Sequence, residues 1–232
     1  MQSFYKRFVR DYMRYKDDIQ CAGADLVAAI RADAKKLDSS NVKGDYYALH
    51  VRRGDFQFKE VKLSADQIVK NLVDSDGKPL IPRGALVYLS TDDPDGVCKN
   101  CLVNRKPCEN YPKRSKPIGC QEDTSWNAFV SKAGWNLRFL HNYTSIIKSA
   151  NPNKFGMIES IACSSAARFA GTYYSTFTGY IHRLRGYRGL GEETYYHSNG
   201  FLNAARSDKS KGSGFSREFR AGWVDDEFGE LI

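Results

Sequence analysis

No run of about 18 consecutive apolar residues occurs in this chain of 232 residues, so no segment has the composition of a membrane-spanning helix. The opening stretch, MQSFYKRFVRDYMRYKDD, lacks the apolar centre of a secretory signal, so the chain as given carries no secretory address. Neither GxGxxG nor GxxxxGK[ST] is present, which removes the dinucleotide fingerprint and the P-loop. What is present is enough apolar material, 41% hydrophobic residues beside 27% charged, for one domain with a full core. The net charge of +8 favours anionic partners: nucleic acid, acidic lipid or phosphorylated small molecules. That charge is spread along the chain, as on a solvated basic surface, except in KSKGSGFSREFR near the end.

Periodicity supplies the organisation. Residues 1–37 read as helix: Phe4, Phe8, Tyr12 and Tyr15 open an apolar face that Ile19, Leu26, Val27 and Ile30 continue, with Gly23 as a place to bend or split. After the turn cluster DSSNVKGD, residues 46–51 form a short apolar run that reads as a buried strand. Ser64 opens a helix over 64–72, with Gln67 at capping-box spacing. ALVYLS (85–90) is a second buried strand, and 136–140 a third. Residues 126–132 read as a short helix and 155–168 as a helix of small and apolar residues. A strand at 169–173 and a helix starting at 175–183 follow. From Gly186 onward glycine, serine and charge dominate, and the tail from Ser207 reads as an extension with little core of its own.

Short apolar strands alternating with helices imply an α/β fold, a Rossmann-like parallel sheet covered by helices on both faces. Ligands of such sheets bind beyond the carboxyl ends of the strands. The first strand ends in His50-Val51-Arg52-Arg53. Alternation places His50 and Arg52 on one face, and an arginine there offers a planar fork of donors to a phosphate. The competing reading is a salt bridge from Arg52 or Arg53 to Asp55. The Arg-Gly-Asp triplet follows directly from a buried strand, whereas an adhesion tripeptide belongs at an exposed loop tip.

The last strand runs through Gly171 into hydroxyls that open a helix. Backbone N–H groups and the Ser175 and Thr176 hydroxyls suit an anion there, although Ser175 serving simply as a helix cap explains the same pattern. Glu159 has Ala162, Cys163 and Ala166 on its helix face. Small neighbours leave a shallow space in which a purine or ribose could meet the carboxylate; a surface glutamate near a helix N-terminus is the alternative. Together, a cation, a hydroxyl-bearing helix start and a carboxylate at one sheet edge describe a nucleotide-diphosphate site.

Two blocks, HVRRGDF (50–56) and FGMIESIACSSAARFAGTYYSTFTGYIHRLRGY (155–187), resemble the GDP-fucose protein O-fucosyltransferases. The resemblance is strongest to the thrombospondin-repeat type and its plant and algal relatives, and it spans about residues 5–187. It implies the C-terminal Rossmann-like domain of a GT-B glycosyltransferase, with GDP-fucose as donor, no metal or other cofactor, a protein or glycan acceptor and no nucleic-acid partner. It also implies an endoplasmic reticulum or Golgi lumen setting. Carried over by motif, His50 and Arg52 lie at the diphosphate, with Arg52 as the catalytic cation. Glu159, in place of the family's aspartate, faces the nucleoside, and Ser175, Thr176 and Phe177 grip phosphate and pack beside the nucleotide. The family's N-terminal glycine-rich loop and proposed acceptor base have no counterpart, so the chain reads as a C-terminal half. Its divisions are a helical lead-in at 1–45, a GDP-sugar-binding domain at 46–190 with a cysteine-rich insert at 94–123, and a polar extension at 191–232.

Of the six cysteines, Cys98, Cys101, Cys108 and Cys120 crowd that insert. Their spacing suits either a four-cysteine zinc site or two disulfides; the lumenal setting implied by the resemblance favours disulfides. Asn142-Tyr143-Thr144 is a glycosylation sequon. Two other functions stay open: a GDP-sugar-binding domain without transfer activity, and a basic zinc-bearing nucleic-acid module.

Overall fold

The computed structural model describes residues 14–52, 58–92, 127–147, 150–190 and 194–207. Helix α1 is Asp17–Leu37, strand β1 Tyr47–Val51, α2 Ala65–Asn71, β2 Leu86–Thr91, α3 Asn127–Ser131 and β3 Asn136–Arg138. Then come α4 Phe155–Ser164, β4 Arg168–Gly171, α5 Thr176–Gly186 and α6 Asn199–Ser207. The four strands pair in the order β3-β2-β1-β4, all parallel. This is the α/β architecture expected from the alternation of elements.

Burial follows the strand alternation. Ala48, Leu86, Tyr88 and Phe169 point to one face, where Leu26 and Ile30 of α1, Ile158 and Ile161 of α4 and Ile181 of α5 cover them. Leu49, Val51, Val87, Leu89 and Leu137 point to the other, under Ile68 of α2 and Phe129 of α3. Strands buried on both sides need continuous apolar runs, which is why YALHV and LVYLST carry so little polarity.

Local chemistry sets the helix ends. Ser64 caps α2: its hydroxyl accepts from the Gln67 N–H at 3.3 Å while the Gln67 side chain accepts from the Ser64 N–H at 3.0 Å, the capping box read from the sequence. Asp17 and Asp18 sit in the first turn of α1 and Lys35 and Lys36 in its last, complementing the helix dipole. Gly23 does not bend or split α1. It is the point of contact with α4, where a Cβ would lie 2.6 Å from Ile161 Cδ1.

Three elements stop earlier than their composition suggests. Strand β3 ends at Arg138 rather than at 140, because the chain turns at Phe139 into a short 3-10 helix, Leu140–Tyr143. Helix α4 ends at Ser164 rather than Arg168, because the buried guanidinium of Arg185 takes the carbonyls of Ser164, Ala166 and Ala167 and turns the chain into β4. Strand β4 ends at Gly171 rather than at 173, and Thr172 begins the turn into α5. A stretch that looked polar is built into the fold: Tyr195 and Tyr196 are buried, Tyr195 bridges to Gly171, and α6 follows. Among the described residues the helix expected over 1–37 begins only at Asp17, since Lys16, with ψ at 155°, precedes it and residues 14–16 are not helical. Residues 1–13, the cysteine-rich insert and the tail after Ser207 lie outside the described residues.

The Gly23–Ile161 contact is tight enough to test. Gly23→Ala should destabilise the protein by roughly 1–3 kcal/mol through overpacking. Pairing it with Ile161→Ala should cost less than the sum of the two single changes, as read from urea unfolding midpoints.

Candidate functional site

The sheet order fixes where a site can form. From β1 the chain goes to α2 on one face, and from β4 to α5 on the other, yet β1 and β4 are neighbours. Adjacent strands that depart to opposite faces make the topological switch point of an open α/β sheet, and the space beyond their carboxyl ends is where such sheets bind ligands. His50 and Arg52 end β1; Gly171 to Phe177 end β4 and start α5.

Glycine at 171 brings α5 down onto the sheet. A Cβ there would lie 2.3 Å from Thr178 Cγ2 and 2.6 Å from its Oγ1, so no other residue allows this approach. Thr178 then reaches His50, the register partner of Gly171, with Oγ1 2.8 Å from His50 Nδ1. The Phe177 ring lies against the imidazole at a centroid distance of 4.7 Å. His50 is only 4% exposed. Burial, reinforced by the positive charge of Arg52, pushes its pKa down to about 3, so it is a neutral imidazole at physiological pH.

Arg52 is one-third exposed, and its Nε lies 3.5 Å from Asp92 Oδ2 just past the end of β2. Arg52 is therefore ion-paired with Asp92; the pairing with Asp55 weighed from the sequence falls on Arg53 and Asp55, which lie outside the described residues. Ser175 caps α5, its Oγ accepting from the Thr178 N–H at 3.4 Å. Capping uses a lone pair and leaves the hydroxyl proton free to donate, so the cap and the anion-binding readings are compatible. Thr176 is exposed at the first turn of the helix, and Phe177 is half-buried. The turn holds Tyr174 at φ 62°, a left-handed conformation unusual for a bulky residue and of the kind that collects at functional sites.

Glu159 sits deeper than a surface glutamate, at 7% exposure. Tyr88 donates to its Oε1 at 3.0 Å, and Ser90 is a further hydrogen-bond partner. Burial raises its pKa to about 7 against the lowering effect of these two bonds. Ala162 and Cys163, its small neighbours on the helix, and Ala166, just past the helix end, are packed into the core. Ser90 is the register partner of His50, so Glu159, Ser90, His50 and Thr178 belong to polar rows at the carboxyl end of the sheet.

The sequence reading brought His50, Arg52, Ser175, Thr176 and Phe177 to this edge, and the structure brings them to one rim. It missed Asp92, Thr172, Thr178 and Tyr196. Tyr88 and Ser90 share the alternation face of their strand, which signalled their direction but not their partner. Cys98, Cys101, Cys108 and Cys120 lie outside the described residues. Cys21 is exposed and Cys163 buried, neither in a disulfide. Among the described residues no three His, Cys, Asp or Glu side chains are grouped to hold a metal, and no helix is long and apolar enough to cross a membrane.

The raised Glu159 pKa gives a signed expectation. A folded-state value above the unfolded one makes its contribution greatest below the unfolded value of about 4.5, and that contribution is lost as pH rises to about 7. Relative to wild type, Glu159→Gln should therefore gain stability as pH rises across this window, by on the order of 1 kcal/mol per pH unit. Urea unfolding at pH 4.5, 6 and 7.5 reads it, and a pH-independent difference would rule it out. No family model, no curated protein and no solved structure matches this chain, so its functional reading rests on the residues and the sheet rim themselves.

Proposed function

We propose that the rim between β1 and β4 holds the diphosphate of a nucleotide sugar, GDP-fucose by the family resemblance, and that the chain supplies the donor-binding part of a metal-independent fucosyltransferase acting on a protein serine or threonine hydroxyl. One observation carries this reading. At the switch point of a parallel sheet, an arginine one-third exposed and the first turn of an 11-residue helix, whose Thr176 is exposed, meet at the same edge.

Each group has a task that its chemistry suits. The first turn of α5 presents backbone N–H groups and the positive end of the helix dipole, with Thr176 adding a hydroxyl. Arg52 supplies the fixed cation. When the bond between sugar and diphosphate breaks, negative charge grows on the leaving phosphate while the anomeric carbon becomes oxocarbenium-like. A guanidinium already in place stabilises that charge without reorganising. Asp92 holds the guanidinium at 3.5 Å, a pairing that an incoming diphosphate would compete with. His50 is neutral, so it contributes at most one N–H to an oxygen and no charge. Its ring and Phe177 form an apolar side to the rim. Glu159, placed by the resemblance against the nucleoside, is engaged by Tyr88 and Ser90; we assign it the task of fixing the end of β2 beside His50.

Calorimetry of the chain with GDP, GDP-fucose, GDP-mannose and ADP tests the reading. GDP and GDP-fucose should bind and ADP should bind more weakly. Thr176→Val should weaken GDP by about three- to tenfold, the worth of one hydrogen bond. Arg52→Ala should reduce fucose transfer by about a hundredfold or more in the transferring protein. No heat with any guanosine diphosphate, or Arg52→Ala activity within a few-fold of wild type, would overturn the assignment.

A further inference from the structure

We propose that Thr172 and Tyr196 are a positioning pair for Arg52: a buried relay of two hydroxyls through which the segment after α5 sets the backbone of the phosphate-binding arginine. This deepens the function proposed above and rests on it.

The β1–β4 ladder ends at the pair His50 and Gly171. Arg52 lies two residues beyond it, where β4 has already turned away, so its N–H has no strand to pair with on that side. The Thr172 side chain takes the missing strand's place. Its Oγ1 accepts from the Arg52 N–H at 2.9 Å and donates to the His50 carbonyl at 3.1 Å. One hydroxyl thus continues the pairing after the β4 backbone has left for the turn, and it spans the two residues assigned to the diphosphate.

A hydroxyl has one proton and two lone pairs. The proton goes to the His50 carbonyl and one lone pair to the Arg52 N–H. The Tyr196 hydroxyl is the third partner, and with the Thr172 proton committed, Tyr196 is the donor. Its donation fills the second lone pair and opposes rotation of the Thr172 hydroxyl away from His50. Both side chains are fully buried, so neither touches a ligand at the rim. Any effect on a ligand must pass through the backbone that carries Arg52.

Tyr196 is itself held firmly. Gly171 N–H donates to Thr194 O at 3.1 Å, and Tyr196 N–H donates to Gly171 O at 3.4 Å, so the segment makes a single parallel bridge, Gly171 to Tyr195, beside β4. Asn71 at the end of α2 donates to Tyr196 O at 3.2 Å, and His197 stacks on the Tyr196 ring at 4.6 Å. The relay therefore joins elements from both faces of the sheet at the switch point. A hydroxyl serving only as glue could lie anywhere along these contacts; this one lies on the peptide of Arg52.

The test is GDP affinity by calorimetry for wild type, Tyr196→Phe, Thr172→Val and Thr172→Ser, with melting temperatures measured in parallel. Tyr196→Phe removes a single oxygen and keeps the stacked ring, so it is the variant least exposed to misfolding. Tyr196→Phe and Thr172→Val should each weaken GDP by about three- to tenfold, and Thr172→Ser, which keeps the hydroxyl, should restore affinity to within about twofold. Tyr196→Phe is then measured in an Arg52→Ala background, where there is no guanidinium left to position and its effect should vanish. A purely structural role predicts the same fold-loss in both backgrounds, and that result, or unchanged affinity in Tyr196→Phe and Thr172→Val, overturns the relay. Absence of GDP binding by wild type would instead overturn the proposed function and this inference with it.

Discussion

The rim depends first on a side chain that is missing. With only a hydrogen at Gly171, the start of α5 rests directly on the end of β4, and Thr178 fits into space that any Cβ would occupy. From that contact follow the His50–Thr178 hydrogen bond, the seating of Phe177 on the imidazole and the presentation of Thr176 at the edge. A helix held farther off would still cap with Ser175. It would not bring its first turn to the level of Arg52. One glycine thus converts an ordinary strand-to-helix turn into a place where a helix dipole and a cation meet.

The second constraint is the handling of polarity inside the carboxyl half of the sheet. His50, Ser90, Glu159, Thr172 and Thr178 are all buried, in a region where an unpaired polar group costs on the order of 1–3 kcal/mol. The structure answers by neutralising and pairing. Burial holds His50 in its neutral form, Glu159 sits near the point of neutrality with Tyr88 and Ser90 bonded to it, and the Thr172 hydroxyl uses its proton and both lone pairs. Charge is kept for the edge, at Arg52 and Asp92, where water and a ligand can reach it. Such a division is costly unless each hydroxyl and ring is correctly placed, and it leaves paired, buried groups beneath a partly exposed cation.

Much of this was legible in the amino-acid order, and the limits of that legibility are physical. Parallel strands announce themselves as unbroken apolar runs, so YALHV and LVYLST were recognisable, and the Ser64–Gln67 spacing named its cap outright. Alternation put His50 and Arg52 together because it is a property of a single strand. Partnerships across strands are not. Nothing local ties Asp92 to Arg52, Tyr88 to Glu159 or Tyr196 to Thr172, since register and strand order determine these pairs. The ends of α4 and β4 were misplaced for the same reason. Their composition would let both continue, and they stop because Arg185, from a later helix, takes the carbonyls after α4, and because the chain must turn at Thr172 to start α5. The Tyr195–Tyr196 pair was lost among glycine and charge, where two aromatics are too few to show a period.

Tyr174 links these constraints. Its left-handed backbone costs on the order of 1 kcal/mol or more, and a glycine would avoid that cost. The ring is the reason for a tyrosine: it packs against Phe58 at 4.8 Å, Tyr173 at 4.8 Å and Phe201 of α6 at 6.4 Å. Phe58 follows the end of β1 and Phe201 belongs to the segment that carries Tyr196. One strained residue therefore gathers the chain leaving β1, the turn leaving β4 and the returning C-terminal segment into a single aromatic cluster behind the rim. The reversal at Tyr174 aims the first turn of α5 at the edge, while its ring joins the elements that hold Thr172 and Tyr196 on Arg52. Strain at this position is the expense of making one short turn serve both as the floor of the candidate site and as its brace.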